Sequence, residues 1–149
     1  TTQFMIAQEI ELTEVHLDVN YKYLNAINSE DLDISVKKLQ SEAAFYDLKE
    51  SAYYNEDYAT YRVSFYIPEG RIVAAYNEHG EILRTIERFN NIKLPKTVLS
   101  SISEQYPNWK IVEDVYKVDY FGVTGIAKKK YEVKFNEFYE ENKYNLPAS

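Results

Sequence analysis

The chain has no cysteine and only two histidines, His16 and His79, among its 149 residues. The first absence excludes disulfides, thiolate nucleophiles and zinc–thiolate sites, although it does not identify a compartment. Together the two leave a thin catalytic inventory, and no motif brings a nucleophile or a set of metal ligands together. No apolar run reaches the 18 or more residues of a helical membrane span, so a membrane-spanning chain is not expected. Positive charge is also scarce: 17 Lys and Arg stand against 24 Asp and Glu, a net charge of −7. That field opposes a phosphate backbone, and Lys128-Lys129-Lys130 is the one basic run, so no nucleic-acid partner is expected.

What is abundant is tyrosine, with 15 in the chain. Tyrosine suits pleated, half-buried surfaces and gives broad contact area with a hydroxyl handle, as strands and binding faces both require. Composition is otherwise that of a globular domain, with 45% hydrophobic and 28% charged residues. A chain of this length is expected to form one compact domain, built as two structural repeats over residues 10–90 and 91–138, with a polar tail at 139–149.

Periodicity places the elements. Thr13, Val15, Leu17, Val19 and Tyr21 alternate with Glu14, His16, Asp18 and Asn20, predicting a first strand. Acidic residues Glu30, Asp31 and Asp33 suit the entry of a helix near 34–47, with Val36, Leu39 and Ala43 at helical spacing. Residues 53–58 read as a loop or irregular edge. Tyr61 to Ile67, a Pro68-Glu69-Gly70 turn and Arg71 to Tyr76 predict a hairpin. Asn77 to Gly80 is a second turn, leading to a strand over Ile82 to Phe89. Leu94-Pro95 opens a second helix with a stripe of Val98, Ile102 and Tyr106, ended by Pro107. A strand over Val115 to Phe121, a loop from Gly122 to Lys130 and a strand over Tyr131 to Phe135 complete the second unit. The expected fold class is α+β, with helices on one face of antiparallel sheet and the other face partly open.

The stretch Val63-Ser64-Phe65-Tyr66-Ile67-Pro68-Glu69-Gly70-Arg71-Ile72-Val73-Ala74-Ala75-Tyr76, with Leu94-Pro95-Lys96-Thr97-Val98 and Tyr106-Pro107-Asn108-Trp109, resembles the PepSY-like, beta-lactamase-inhibitor-like (BLIP-like) periplasmic family of Bacteroidetes. The resemblance covers most of the chain. It implies tandem units of helix plus antiparallel sheet and a periplasmic or secreted location; a chain beginning at Thr1 is what removal of a signal peptide would leave. The closing strand of the family's second sheet is replaced here by an acidic, Asn-rich tail. Some members carry the label nicotinate-nucleotide adenylyltransferase, but that chemistry needs paired histidines near a glycine at a strand-to-helix junction. Here the one His-Gly pair, His79-Gly80, falls in a predicted β-turn.

Other chemistry is weaker. Glu14, His16 and Asp18 share a strand face but lie about 7 Å apart, too spread for a metal. Glu30, Asp31 and Asp33 lack the spacing and central glycine of a calcium loop. Ser100, Ser101 and Ser103 have no nearby base, and nothing singles out two of the acids as a glycosidase pair. No cofactor, metal or catalytic residue is expected. The remaining candidates are aromatic: if Val63, Phe65 and Ile67 face the helices, Tyr66 faces away, and Tyr116 and Tyr120 are expected to do the same in the second unit. Trp109 is expected in the core. Arg84 and Arg88, expected to share a face with Ile82 and Ile86, would add polar contacts. The function expected is a non-enzymatic module that recognises a protein partner through this sheet face, inhibitor-like or accessory. Small-molecule or envelope-glycan binding is the alternative, and a hydrolase the third reading.

Overall fold

The computed structural model describes residues 20–137. Residues 20–27 are helical (α1), followed by α2 (Ile34–Ala44), β1 (Thr60–Ile67), β2 (Gly70–Asn77), β3 (Ile82–Asn90), α3 (Lys96–Gln105), β4 (Trp109–Phe121) and β5 (Ile126–Glu137). The strands form one antiparallel sheet in the order β1-β2-β3-β4-β5, so both predicted units contribute to a single sheet. Each strand pairs with its sequence neighbour, and only α3 interrupts the meander.

Helix α2 begins where the acidic run ends. The Asp33 carboxylate accepts from the Ser35 N–H at 2.8 Å, satisfying one donor that a helix start leaves unpaired. The same carboxylate accepts from the Lys93 N–H, and Asp31 accepts from the Lys96 N–H at the start of α3, both at 2.9 Å. The acidic loop therefore ties two helix entries together. Val36, Leu39, Ala43 and Ala44 of α2 are buried against Ile72, Ala74 and Tyr76 of β2, and the Tyr76 hydroxyl donates to the Ala43 carbonyl at 2.5 Å.

The first strand expected at 13–21 is not supported where it can be tested. Asn20 and Tyr21 are helical, and residues 13–19 lie outside the described residues. Asn20 is buried and works as a bracket: its amide donates to the Ala44 and Gly80 carbonyls and accepts from the Ile82 N–H at 3.0 Å. Alternation over residues 20 and 21 carried no information about that long-range pairing. The tail at 139–149 also lies outside the described residues.

Three other expectations change. The loop expected from Gly122 to Lys130 is a short turn, and Lys128, Lys129 and Lys130 belong to β5. Trp109 is 42% exposed at the start of β4, in a cluster with Tyr106 and Phe135. Helix α3 forms as its stripe predicts, yet none of its residues is buried. Val98 and Ile102 are half-covered beside a shallow apolar hollow of about 430 Å³ bounded by Val133 and Phe135 of β5.

Two details fix the strands. Gly70 closes the β1–β2 turn against β3 so tightly that a Cβ there would collide with the Arg88 carbonyl oxygen and lie 2.8 Å from the Phe89 Cα. A β-bulge at Leu83 lets Tyr76 pair with Ile82 while Ala75 pairs with Arg84. Ile82 therefore turns inward although Arg84, two positions on, turns outward.

Two carboxylates are buried among the described residues, Asp114 at the edge of the core and Glu87 deep within it. Glu87, 1% exposed, accepts from the Tyr23 hydroxyl at 2.9 Å, the Gln40 amide at 2.9 Å and the Thr85 hydroxyl at 2.7 Å. Burial raises its pKa, and the three donors oppose that rise. The folded chain thus keeps a proton that the unfolded chain has released. The stability tied to that proton is complete below the ordinary Glu value of 4.5 and lost as pH rises through the folded value. Relative to Glu87→Gln, the wild type should lose stability as pH rises above 4.5, read as diverging urea midpoints. Glu87→Ala, which strips three buried donors of their acceptor, should cost about 2–3 kcal/mol at pH 4.5, and less as pH rises and the wild type itself loses stability.

Candidate functional site: the open face of the sheet

Residues opposite each other on antiparallel strands project to the same side, so register decides which side chains meet on each face. Helices α1 and α2 cover one side, where Tyr61, Ile72, Tyr76, Thr85, Glu87, Phe89, Tyr116, Val118 and Tyr120 are buried. The other side carries the alternate residues and no described helix.

This register corrects two expected site residues. Tyr116 pairs with Phe89 and Tyr120 with Thr85, so both inherit the core side of β3 and are 1% exposed. The alternation expected of β4 is present; its phase is reversed, and Val115, Lys117, Asp119 and Phe121 face outward. The Tyr116 ring stacks on Tyr131 at 4.4 Å and Tyr120 meets Tyr23 edge-on at 5.2 Å. Burial pushes the Tyr116 phenol up to about 12, so it stays protonated at any physiological pH.

The other three expected residues do reach the open face. Tyr66 is 69% exposed, and Arg84 and Arg88 are exposed on β3. Ile86 lies between the two arginines on that face, half exposed, whereas Ile82 does not share it because of the bulge.

The geometry adds what sequence reasoning missed. The chain contains four arginines, Arg62, Arg71, Arg84 and Arg88, and all four stand on this face. Three rows run across the strands. The first is Tyr66–Arg71–Arg88–Lys117–Lys130, continuous through all five strands. The second is Ser64–Val73–Ile86–Asp119–Lys128, and the third is Arg62–Ala75–Arg84–Phe121–Ile126. An aliphatic centre at Val73 and Ile86 is therefore flanked on both sides by cations.

Among the described residues, partial neutralisation reaches Arg84 of β3 and the cations of β4 and β5. Glu132 bridges Lys117 at 3.0 Å and Lys130 at 3.3 Å, and the hydrogen bonds from those ammonium groups hold its carboxyl below the usual range. Arg84 lies 3.5 Å from Asp119 and stacks over the Phe121 ring at 4.9 Å from its centroid, with Lys128 at 5.8 Å from the same ring. Among the described residues no carboxylate pairs with Arg62, Arg71 or Arg88. Arg71 and Arg88 sit directly opposite each other, an arrangement of like charges that weakens a sheet. They border a hollow of about 480 Å³ with Tyr66, Glu69, Gly70 and Asn90.

His79 is exposed in the β2–β3 turn, 3.5 Å from Glu78, and His16 lies outside the described residues. Among the described residues there is no group of three side chains able to hold a metal, and no helix long and apolar enough to cross a membrane. Ser100, Ser101 and Ser103 are exposed on α3. Comparison with protein families, curated proteins and solved structures finds no match to this chain.

A residue kept for binding in spite of its cost to the fold shows itself in stability. Arg88→Glu would place a carboxylate between Arg71 and Lys117, and it should raise stability by about 0.5 kcal/mol at low ionic strength. The gain should shrink in high salt, as thermal melts at two ionic strengths would show. A loss of stability on this change would mean that Arg88 serves the fold.

Proposed function

We propose that the chain is a non-enzymatic binding module that recognises a protein partner through the open face of its sheet. The observation that supports this most is the gathering of all four arginines, with exposed Tyr66 and Ile86, on the one sheet side that no described helix covers. Arginine and tyrosine dominate the energetics of protein interfaces, because each combines a broad flat contact with directed hydrogen bonds. The opposite side is committed to the core, so the two sides have separate tasks.

The family reading belongs to the same proposal. Its support is the quoted sequence stretches together with the order of elements, in which a helix is followed by antiparallel strands twice along the chain. A periplasmic or secreted setting and an inhibitor-like or accessory role come with that reading. A second reading, binding of a small molecule or envelope glycan, is favoured by the hollow beside Tyr66, Arg71 and Arg88, which is large enough for a small ligand.

The two readings separate in one comparison. The wild type and Ile86→Asp, each immobilised and each shown folded by circular dichroism, are exposed to an extract of the source cell. A partner retained by the wild type and lost by Ile86→Asp, then rebound as a purified protein, supports the module. Equal retention by both overturns the assignment to this face. A thermal shift with sugars or small anions, in the absence of any face-dependent protein, selects the second reading.

A further inference from the structure

The spacing of charge on the open face specifies a kind of partner. We infer that the face docks an amphipathic, acidic helical segment of another protein, laid across the strands with its apolar side on Val73 and Ile86. The inference rests on the binding-module reading above and names the chemistry of its partner.

Three measurements of the face agree with that occupant. On β1, β2 and β3 the two outer rows lie four residues apart, Arg62 from Tyr66, Ala75 from Arg71 and Arg84 from Arg88. Four residues of strand span about 13 Å, and an α-helix with its side chains is about 10–12 Å across. The rows therefore form two rails at the width of one helix. The stripe between them is aliphatic on β2 and β3, where Val73 pairs with Ile86, and Ile86 is half exposed. Five strands span about 19 Å, the length of about 13 helical residues.

The sign of the rails then selects the flanks of the helix. Arg71 and Arg88 on one rail and Arg62 on the other have no carboxylate partner among the described residues. Arg71 and Arg88 also repel each other across the ladder. Carboxylates on the flanks of a docked helix would pair with these guanidinium groups in bidentate fashion and remove that repulsion. A single-stranded nucleic acid would instead need aromatic platforms for its bases. The central stripe offers none, and the Phe121 ring already carries Arg84 and Lys128.

The test uses a fluorescent synthetic peptide of about 13 residues, a length that matches the sheet width, with leucines on one helical face and glutamates on both flanks. A second peptide has glutamine at every glutamate; an oligothymidylate and phosphatidylglycerol vesicles complete the set. The acidic peptide should bind the wild type, weaken as salt is raised, and weaken at least about tenfold for the double variant Arg71→Glu, Arg88→Glu and for Ile86→Ser, in keeping with central interface residues. Each variant is checked for folding by circular dichroism, and the exposed positions make loss of fold unexpected.

Equal binding of the glutamine peptide, tighter binding of the oligonucleotide or vesicles, or no binding of the acidic peptide overturns the inference. A natural partner lost by Ile86→Asp but indifferent to salt and to the double variant would sink the inference while leaving the binding module standing. Absence of any face-dependent partner removes the module itself.

Discussion

One constraint governs this molecule: residues facing each other across an antiparallel ladder lie on the same side of the sheet. Once α2 covers Ile72, Ala74 and Tyr76, the side of every other strand follows through the register. Thr85, Glu87 and Phe89 must turn inward on β3, and Tyr116, Val118 and Tyr120 on β4. Burial of Glu87 is tolerated because Tyr23, Gln40 and Thr85 donate to it, two of them from the helices that lie over it. The inner side thus joins helices to sheet by polar as well as apolar contact, which favours one arrangement over slipped alternatives.

The same constraint assembles the outer side from residues far apart in sequence. Tyr66, Arg71, Arg88, Lys117 and Lys130 have no local pattern in common, yet they form one row. Arg71 stands against Arg88, a pairing of like charges that weakens the ladder. Where local repulsion persists with no compensation from within the described chain, the compensation is sought outside it, and this is why the outer side carries the functional reading.

The sequence made much of the scaffold legible. The helix after Asp33, the hairpin around Pro68-Glu69, the strand to Phe89 and the helix after Pro95 all follow from period and turn chemistry, which act within a few residues. What was lost depended on contacts over long separations. Asn20 looked like the polar partner in an alternating strand, but its role is set by Ala44, Gly80 and Ile82. The phase of β4 could not be found within β4, because Val115 and Tyr116 are both credible core residues and only pairing with β3 chooses between them. Tyr116 and Tyr120 were misplaced for that reason, while Tyr66 does face away from the helices, and Arg84 and Arg88 share their face with Ile86 but not with Ile82. A signal did exist for the missed arginines: Arg62 shares parity with Ser64 and Tyr66 in β1, and joining β1 to β2 through the Pro68–Gly70 turn sets Arg71 opposite Tyr66.

Sorting charge by side also gives the described part of the molecule a direction in space. On the helices and their loops, Glu30, Asp31, Asp33, Glu42, Asp47 and Glu50 stand among Lys22, Lys37, Lys38 and Lys49. The outer side is thus rich in cations and the helical side mixed in charge, on a chain of net negative charge. Near an acidic surface, such a body experiences torque before contact: it is repelled as a whole but rotated until its arginine side leads. Within roughly 8 Å, the screening length at physiological salt, that side dominates the local field. For an acidic body the arginine side is therefore the favoured side of approach, and that preference acts before any side chain touches.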